Sequence, residues 1–101
     1  MSDMYPDSIE FEWDEAKART NFEKHRVSFL TAAMIFRNEI VSRMDDREDY
    51  GEIRFIALGR VDVEVYRVIY SEPGEHLVRI ISAQKASRDE REIYFSQILP
   101  E

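Results

Sequence analysis

The sequence predicts an α+β domain with the element order ααββββα: two N-terminal helices, a four-stranded antiparallel sheet and a C-terminal helix. Three observations carry this expectation. Phe29, Ala32, Ala33 and Phe36 fall at i, i+3, i+4 and i+7, the spacing of one helix face. From Ile40 onward the periodicity changes from helical to extended. The connections between the extended segments are too short for crossover helices, so neighbours in sequence pair antiparallel.

Residues 1–8 are expected to be disordered, leaving 9–101 as a single domain. Ile9 to Trp13 alternates apolar with acidic residues, as a short strand or extended lead-in does. Asp14 is a good N-cap for a first helix ending near His25, and Ser28 caps a second that carries the Phe29 stripe. Four strands follow, at Ile40–Met44, Ile53–Gly59, Val63–Tyr70 and Leu77–Ala83. Asp45 to Glu52 forms a longer polar loop, Arg60 to Asp62 suits a tight hairpin, and Glu72 to Glu75 reads as a turn around Pro73-Gly74. Ser87 and Glu90 make an S-x-x-E capping box for the last helix, which offers Tyr94, Phe95, Ile98 and Leu99 to the interior.

With no Cys, the chain has no disulfide framework, thiolate zinc site or cysteine nucleophile, which fits a reducing compartment. The acidic N-terminus lacks a long apolar run, so neither a signal peptide nor a membrane span is expected there, and the cytoplasm is the expected location. The net charge of −7 argues against a general nucleic-acid binder. That acidity is regional, however. Residues 16–30 carry Lys17, Arg19, Lys24 and Arg26 against only Glu23, so one face can still be basic.

Two features carry candidate chemistry. The first is the start of the last helix, where Lys85, Arg88 and Arg91 surround backbone N–H groups that favour an anion. Either a phosphate sits there, or Asp89 and Glu90 are themselves the anions. The second is a set of strand arginines, Arg54, Arg67 and Arg79, each inside an apolar alternation. A guanidinium in that setting must reach solvent, a carboxylate or a ligand. If Arg67 and Arg79 share a sheet face, they can hold a phosphodiester; if not, carboxylates such as Glu52, Asp62 or Glu64 can neutralise them. His25 and His76 stand in no metal-ligand spacing. His25 can exchange a proton near neutral pH or simply cap its helix, while Tyr66, Tyr70 and Tyr94 can stack, donate a proton or belong to the core. Gly-rich phosphate loops, G-x-S-x-G and H-E-x-x-H are absent from the sequence.

Taken together, FEWDEAKARTNFEKHRVSF (11–29), DDREDYGEIRFIALGR (45–60) and VRIISAQKASRDEREIY (78–94) resemble the BrnT toxin family, in order and over nearly the whole chain after residue 9. The matching positions are Trp13, Asp14, Lys17, Asn21, Lys24 and His25, then Arg54 and Gly59, then Arg79, Ser82, Lys85, Glu90 and Tyr94. The resemblance implies a RelE-like fold and a metal-independent, cofactor-free ribonuclease that cleaves RNA through 2′-OH attack. It also implies a cognate BrnA-like antitoxin that neutralises the toxin and alone contacts operator DNA, with self-association when that antitoxin is missing. Arg79 and Lys85 would clamp the phosphate, His25 or Tyr94 would transfer protons, and Lys17, Lys24, Arg54, Arg67 and Arg88 would position the RNA. One departure stands out: position 84 is Gln where the family has Arg in an S-A-R-K run. Together with the net acidity, it supports an alternative reading as a catalytically weak or inactive antitoxin-binding module acting in transcriptional autoregulation.

Overall fold

The computed structural model describes residues 2–3, 5 and 8–99. Among these residues the helices are α1 (Glu15–His25), α2 (Phe29–Met34) and α3 (Arg88–Ile98), with a 3-10 turn at Ile35–Arg37. The strands are β1 (Ser2–Asp3), β2 (Glu10–Glu12), β3 (Ile40–Asp45), β4 (Arg54–Val61), β5 (Glu64–Gly74) and β6 (Leu77–Lys85). They form one sheet in the order β1-β3-β4-β5-β6-β2, five strands plus the two-residue β1.

This corrects the expected ααββββα, RelE-like arrangement with a four-stranded antiparallel sheet. β3 to β6 do pair antiparallel, but β2 joins the outer edge of β6 in parallel, making the sheet mixed. Reasoning from short connections sees only neighbours in sequence, whereas β2 and β6 are separated by most of the chain. Two contacts hold β2 in register: Phe11 turns inward against Phe36, with ring centroids 5.6 Å apart, and Glu12 meets Arg79 across the strands. Both hairpin turns fall later than expected: Asp62 (φ 55°), the last residue of the expected Arg60–Asp62 turn, and His76 (φ 59°), one residue beyond the expected Glu72–Glu75 turn, take the left-handed positions. As a result β4 extends to Val61 and β5 continues through Gly74.

Side-chain oxygens satisfy the helix starts. Asp14 accepts from Lys17 N–H at 3.0 Å and Ser28 from Thr31 N–H at 3.0 Å. In α3 the capping box is closed, with Ser87 Oγ accepting from Glu90 N–H and Glu90 Oε1 accepting from Ser87 N–H.

Alternation along β4 separates two apolar layers. Ala57, together with Val68, Tyr70, Val78 and Ile80, faces Phe29, Ala32, Ile35 and Phe36. Leu58 and Val65 face Tyr94, Phe95 and Ile98 of α3 on the other side. Gly59 is required at its position because a Cβ there would lie 2.8 Å from Ile35 Cβ. Much of the expected disordered segment 1–8 lies outside the described residues; within it, β1 pairs with β3, and Tyr5 packs edge-on against Phe36 and bonds Tyr70 and Glu72 through its hydroxyl.

Candidate functional site

The register of the sheet settles which cations share a face. Arg54 opposes Ser71, and Ser71 opposes Arg79, so these three form a cross-strand row that continues to Asp45 on β3 and Glu12 on β2. Residues directly opposed on neighbouring strands project to the same side. Arg67, four residues before Ser71 on β5, opposes Leu58 and Gln84 and therefore projects to that same side. The separation along the strand is roughly 13 Å, too far for Arg67 and Arg79 to hold one phosphate. Arg54 is the partner of Arg79 instead. Arg43, which opposes Ile56, is a further cation of this face, and a groove of about 380 Å³ under α3 brings it near Arg67.

Carboxylates meet each of the three arginines singled out from sequence. Arg79 Nε donates to Glu12 at 2.6 Å, and its Nη1 lies 3.4 Å from Glu52 Oε1. Glu52 Oε2 lies 3.5 Å from Arg54 Nε, so one carboxylate spans both guanidinium groups. The Arg54 guanidinium also stacks over the Tyr50 ring at 4.3 Å. Arg67 pairs with Glu90 Oε2 at 3.3 Å. Glu90 thus serves the α3 start and a strand arginine at once, which places a protein carboxylate where a phosphate at the helix end would sit.

The loop between β3 and β4 is anchored beside this row. Arg47 grips Asp45 with two bonds of 2.7 and 2.8 Å, and the Asp45 side chain is fully buried. Those bonds hold the Asp45 carboxyl well below the usual carboxylate range.

A second cluster lies where α1 meets β6. Asn21 donates to the carbonyl of Ala83 at 2.8 Å and accepts from the Ala83 N–H at 3.1 Å, supplying strand-like bonds where β2 has ended. This docking opens a groove of about 350 Å³ lined by Lys17, Thr20, Lys24, His25, Ile81 and Ser82. Ile81 is the extra residue of a β-bulge, since Ile80 pairs with Tyr70 and Ser82 with Ile69. Arg79 lies two residues along the same strand, roughly 7 Å from Ile81.

The structure therefore brings Lys17, Lys24 and His25 into one groove, adjacent along β6 to the Arg54–Arg79 row. It does not bring the other candidates there. Lys85 opposes Tyr66, one position from the Arg67–Gln84 pair, so it projects to the opposite face, where Glu64 lies 3.9 Å away. Arg88 is exposed on α3 and faces Glu92 at 3.8 Å. Tyr94 is fully buried, and its hydroxyl donates to the Glu39 carbonyl at 2.8 Å. Burial raises its pKa above the ordinary phenol value. His76 sits in the β5–β6 turn. Arg43 and Ser71 were missed from sequence; the signal for Arg43 was its place inside the expected Ile40–Met44 strand, while nothing in the sequence marked Ser71.

Among the described residues, no group of three or more His, Asp or Glu side chains gathers as a metal site. No described helix is long and apolar enough to cross a membrane.

Comparison with known proteins gives this arrangement a context. Residues 13–90 match the family described as "Ribonuclease toxin, BrnT, of type II toxin-antitoxin system". The chain belongs to the BrnT toxin family. Membership makes it a ribonuclease toxin of a type II toxin-antitoxin system, a class defined by an antitoxin partner. In fold it is similar to the Brucella abortus ribonuclease toxin BrnT, with a TM-score of 0.59 and 23% identity over 79% of this chain and 99% of that one. No curated protein matches the chain. The BrnT match spans α1, the row arginines and the start of α3, the regions that build both clusters.

Proposed function

We propose that this BrnT protein cleaves RNA by activating the RNA's own 2′-OH, with Arg54 and Arg79 holding the scissile phosphate. The observation that carries this reading is convergence: both guanidinium groups reach one carboxylate, Glu52, so both can reach one phosphate. The 2′-oxygen bonds to phosphorus as the bond from phosphorus to the 5′-oxygen breaks, leaving a 2′,3′-cyclic phosphate and a free 5′-OH. A base takes the 2′-proton, and an acid returns one to the 5′-oxygen. The two arginines would stabilise the charge that grows on the phosphoryl oxygens. His25 is the proton-transfer group of the adjacent groove, and Lys17 and Lys24 steer the flanking backbone into it. This route needs no metal or cofactor. Tyr94 has no part in it, being committed to Glu39 within the core.

In this reading the protein acts in the cytoplasm and is neutralised by a small antitoxin of the BrnA kind, which carries the operator-DNA contacts. A second reading, an antitoxin-binding module with little activity, is favoured by one observation. The arginines of the row are already met by Glu12 and Glu52, and Arg67 faces Glu90 and opposes the neutral Gln84.

Induced expression of the natural chain beside Arg79→Ala, following growth and total RNA, separates the two. Arrest with RNA fragmentation in the natural chain alone is the expected result. Normal growth and intact RNA with soluble, folded natural protein would favour the second reading.

A further inference from the structure

The row Arg54–Ser71–Arg79 contains two buried polar atoms that have no hydrogen-bond partner among the described residues, Arg54 Nε and Ser71 Oγ. They sit on adjacent strands and face the same side. Native proteins rarely leave such groups unpaired, and a Ser buried to 2% exposure is a poor choice for a purely apolar contact. Glu52 covers the row without resolving this. Its oxygens stand 3.5 Å from Arg54 Nε and 3.4 Å from Arg79 Nη1, at the outer limit of a hydrogen bond. Glu12 meanwhile takes Arg79 Nε, which leaves the far end of that guanidinium turned toward Glu52. The carboxylate thus neutralises two cations, yet a planar group with two oxygens does not serve three donors spread across three strands. A tetrahedral oxyanion presents more oxygens in more directions.

We infer that Arg54 Nε, Ser71 Oγ and the Arg79 guanidinium form a receptor for one RNA backbone phosphate, and that Glu52 is a displaceable carboxylate competing for it. The inference rests on the reading of Arg79 as a phosphate-holding residue and adds two roles to it. Ser71 becomes a phosphate donor, and Glu52 sets a threshold for entry. A lone anion must overcome the Glu52 carboxylate unaided, whereas a strand also held by Lys17 and Lys24 brings additional charge to displace it.

The test is binding of a fluorescently labelled 2′-O-methyl RNA oligonucleotide, which has no free 2′-OH and so binds without being cut. Anisotropy is read on the full-length natural chain, Glu52→Gln, Ser71→Ala and Arg79→Ala. Glu52→Gln should bind about tenfold tighter, since a competing charge is gone. Inorganic phosphate should then displace the oligonucleotide at a lower concentration relative to its affinity than in the natural chain. Ser71→Ala should bind about tenfold weaker while unfolding at no lower denaturant concentration, because no hydrogen bond within the protein is lost. A merely structural Ser71 would instead lower the unfolding midpoint. Affinities of Glu52→Gln and Ser71→Ala within about twofold of the natural chain overturn the inference. If Arg79→Ala still loses binding in that same series, the clamp reading survives alone. If neither the natural chain nor Glu52→Gln binds the oligonucleotide, both readings fall.

Discussion

The carboxamide of Asn21 on α1 pairs with both backbone groups of Ala83 on β6, at 2.8 and 3.1 Å. It takes the place of a neighbouring strand just beyond the end of β2, and its Nδ2 also donates to the Val27 carbonyl at 3.1 Å. One buried side chain therefore closes a sheet edge, fixes the angle of α1 and fixes the turn into α2.

Replacing Asn21 with Ala should cost about 2–4 kcal/mol, since it leaves buried backbone groups on both Ala83 and Val27 without this partner. Asn21→Asp should be at least as harmful, because a carboxylate would face two carbonyl oxygens. Equilibrium denaturation in urea measures both. The groove holding His25 and Lys24 should loosen in parallel, so cleavage should fall even under conditions where the variant remains folded.

Gly59 makes the corresponding demand on the other side of the core. Its Cα faces the 3-10 turn so closely that an added methyl would meet Ile35 Cβ at 2.8 Å, backbone-proximal atoms that cannot swing away. Gly59→Ala should destabilise the domain by about 1–3 kcal/mol through overpacking, seen as a lower thermal midpoint. An unchanged midpoint would show that the turn can shift.

The Asp45–Arg47 pair predicts an acid-sensitive loop. Because Arg47 lowers the Asp45 pKa in the folded state, the folded protein keeps this carboxylate charged at pH values where the unfolded chain would protonate it. Its stabilising contribution is complete above the unfolded value near 4 and is lost as pH falls through the lower folded value. Asp45→Asn should therefore unfold at lower denaturant than the natural chain at pH 7, and the gap should narrow below about pH 4.

Tyr94 separates a core role from a catalytic one. Tyr94→Phe removes a hydroxyl that donates to the Glu39 carbonyl and should cost about 1 kcal/mol of stability. The rate of RNA cleavage per folded molecule should stay within about threefold of the natural value. A loss of activity with full stability would return Tyr94 to the chemistry.

Much of the helical framework could be read from residue types alone. Asp14, Ser28 and Ser87 are short polar residues placed directly before helical runs, and capping depends on local spacing that the sequence displays. The parallel β2 could not be read in the same way, because its partner lies most of the chain away and its alternation of Glu, Phe and Glu fits any edge. For the site, the sequence marked the strand arginines but not their grouping. Alternation leaves open whether Arg67 and Arg79 act as a pair, and only the register sets them two rows apart and joins Arg54 to Arg79 across Ser71. Register depends on hairpin positions, and both turns fall later than expected: the β4–β5 turn sits at the end of the Arg60–Asp62 stretch, on Asp62, and the β5–β6 turn places His76 just beyond Glu72–Glu75. Lys85 stands apart from the row because a single step along β6 from Gln84 reverses the face, which composition does not show.

The central claim is that Arg54 and Arg79 act together on one RNA phosphate, and single-turnover cleavage of an RNA oligonucleotide by the purified chain tests it most directly. Arg54→Ala and Arg79→Ala should each slow cleavage by about a hundredfold, and the double variant should lose little more than the worse single one. Natural-rate cleavage by a folded Arg79→Ala variant, or fully additive losses from the two sites, would contradict the account.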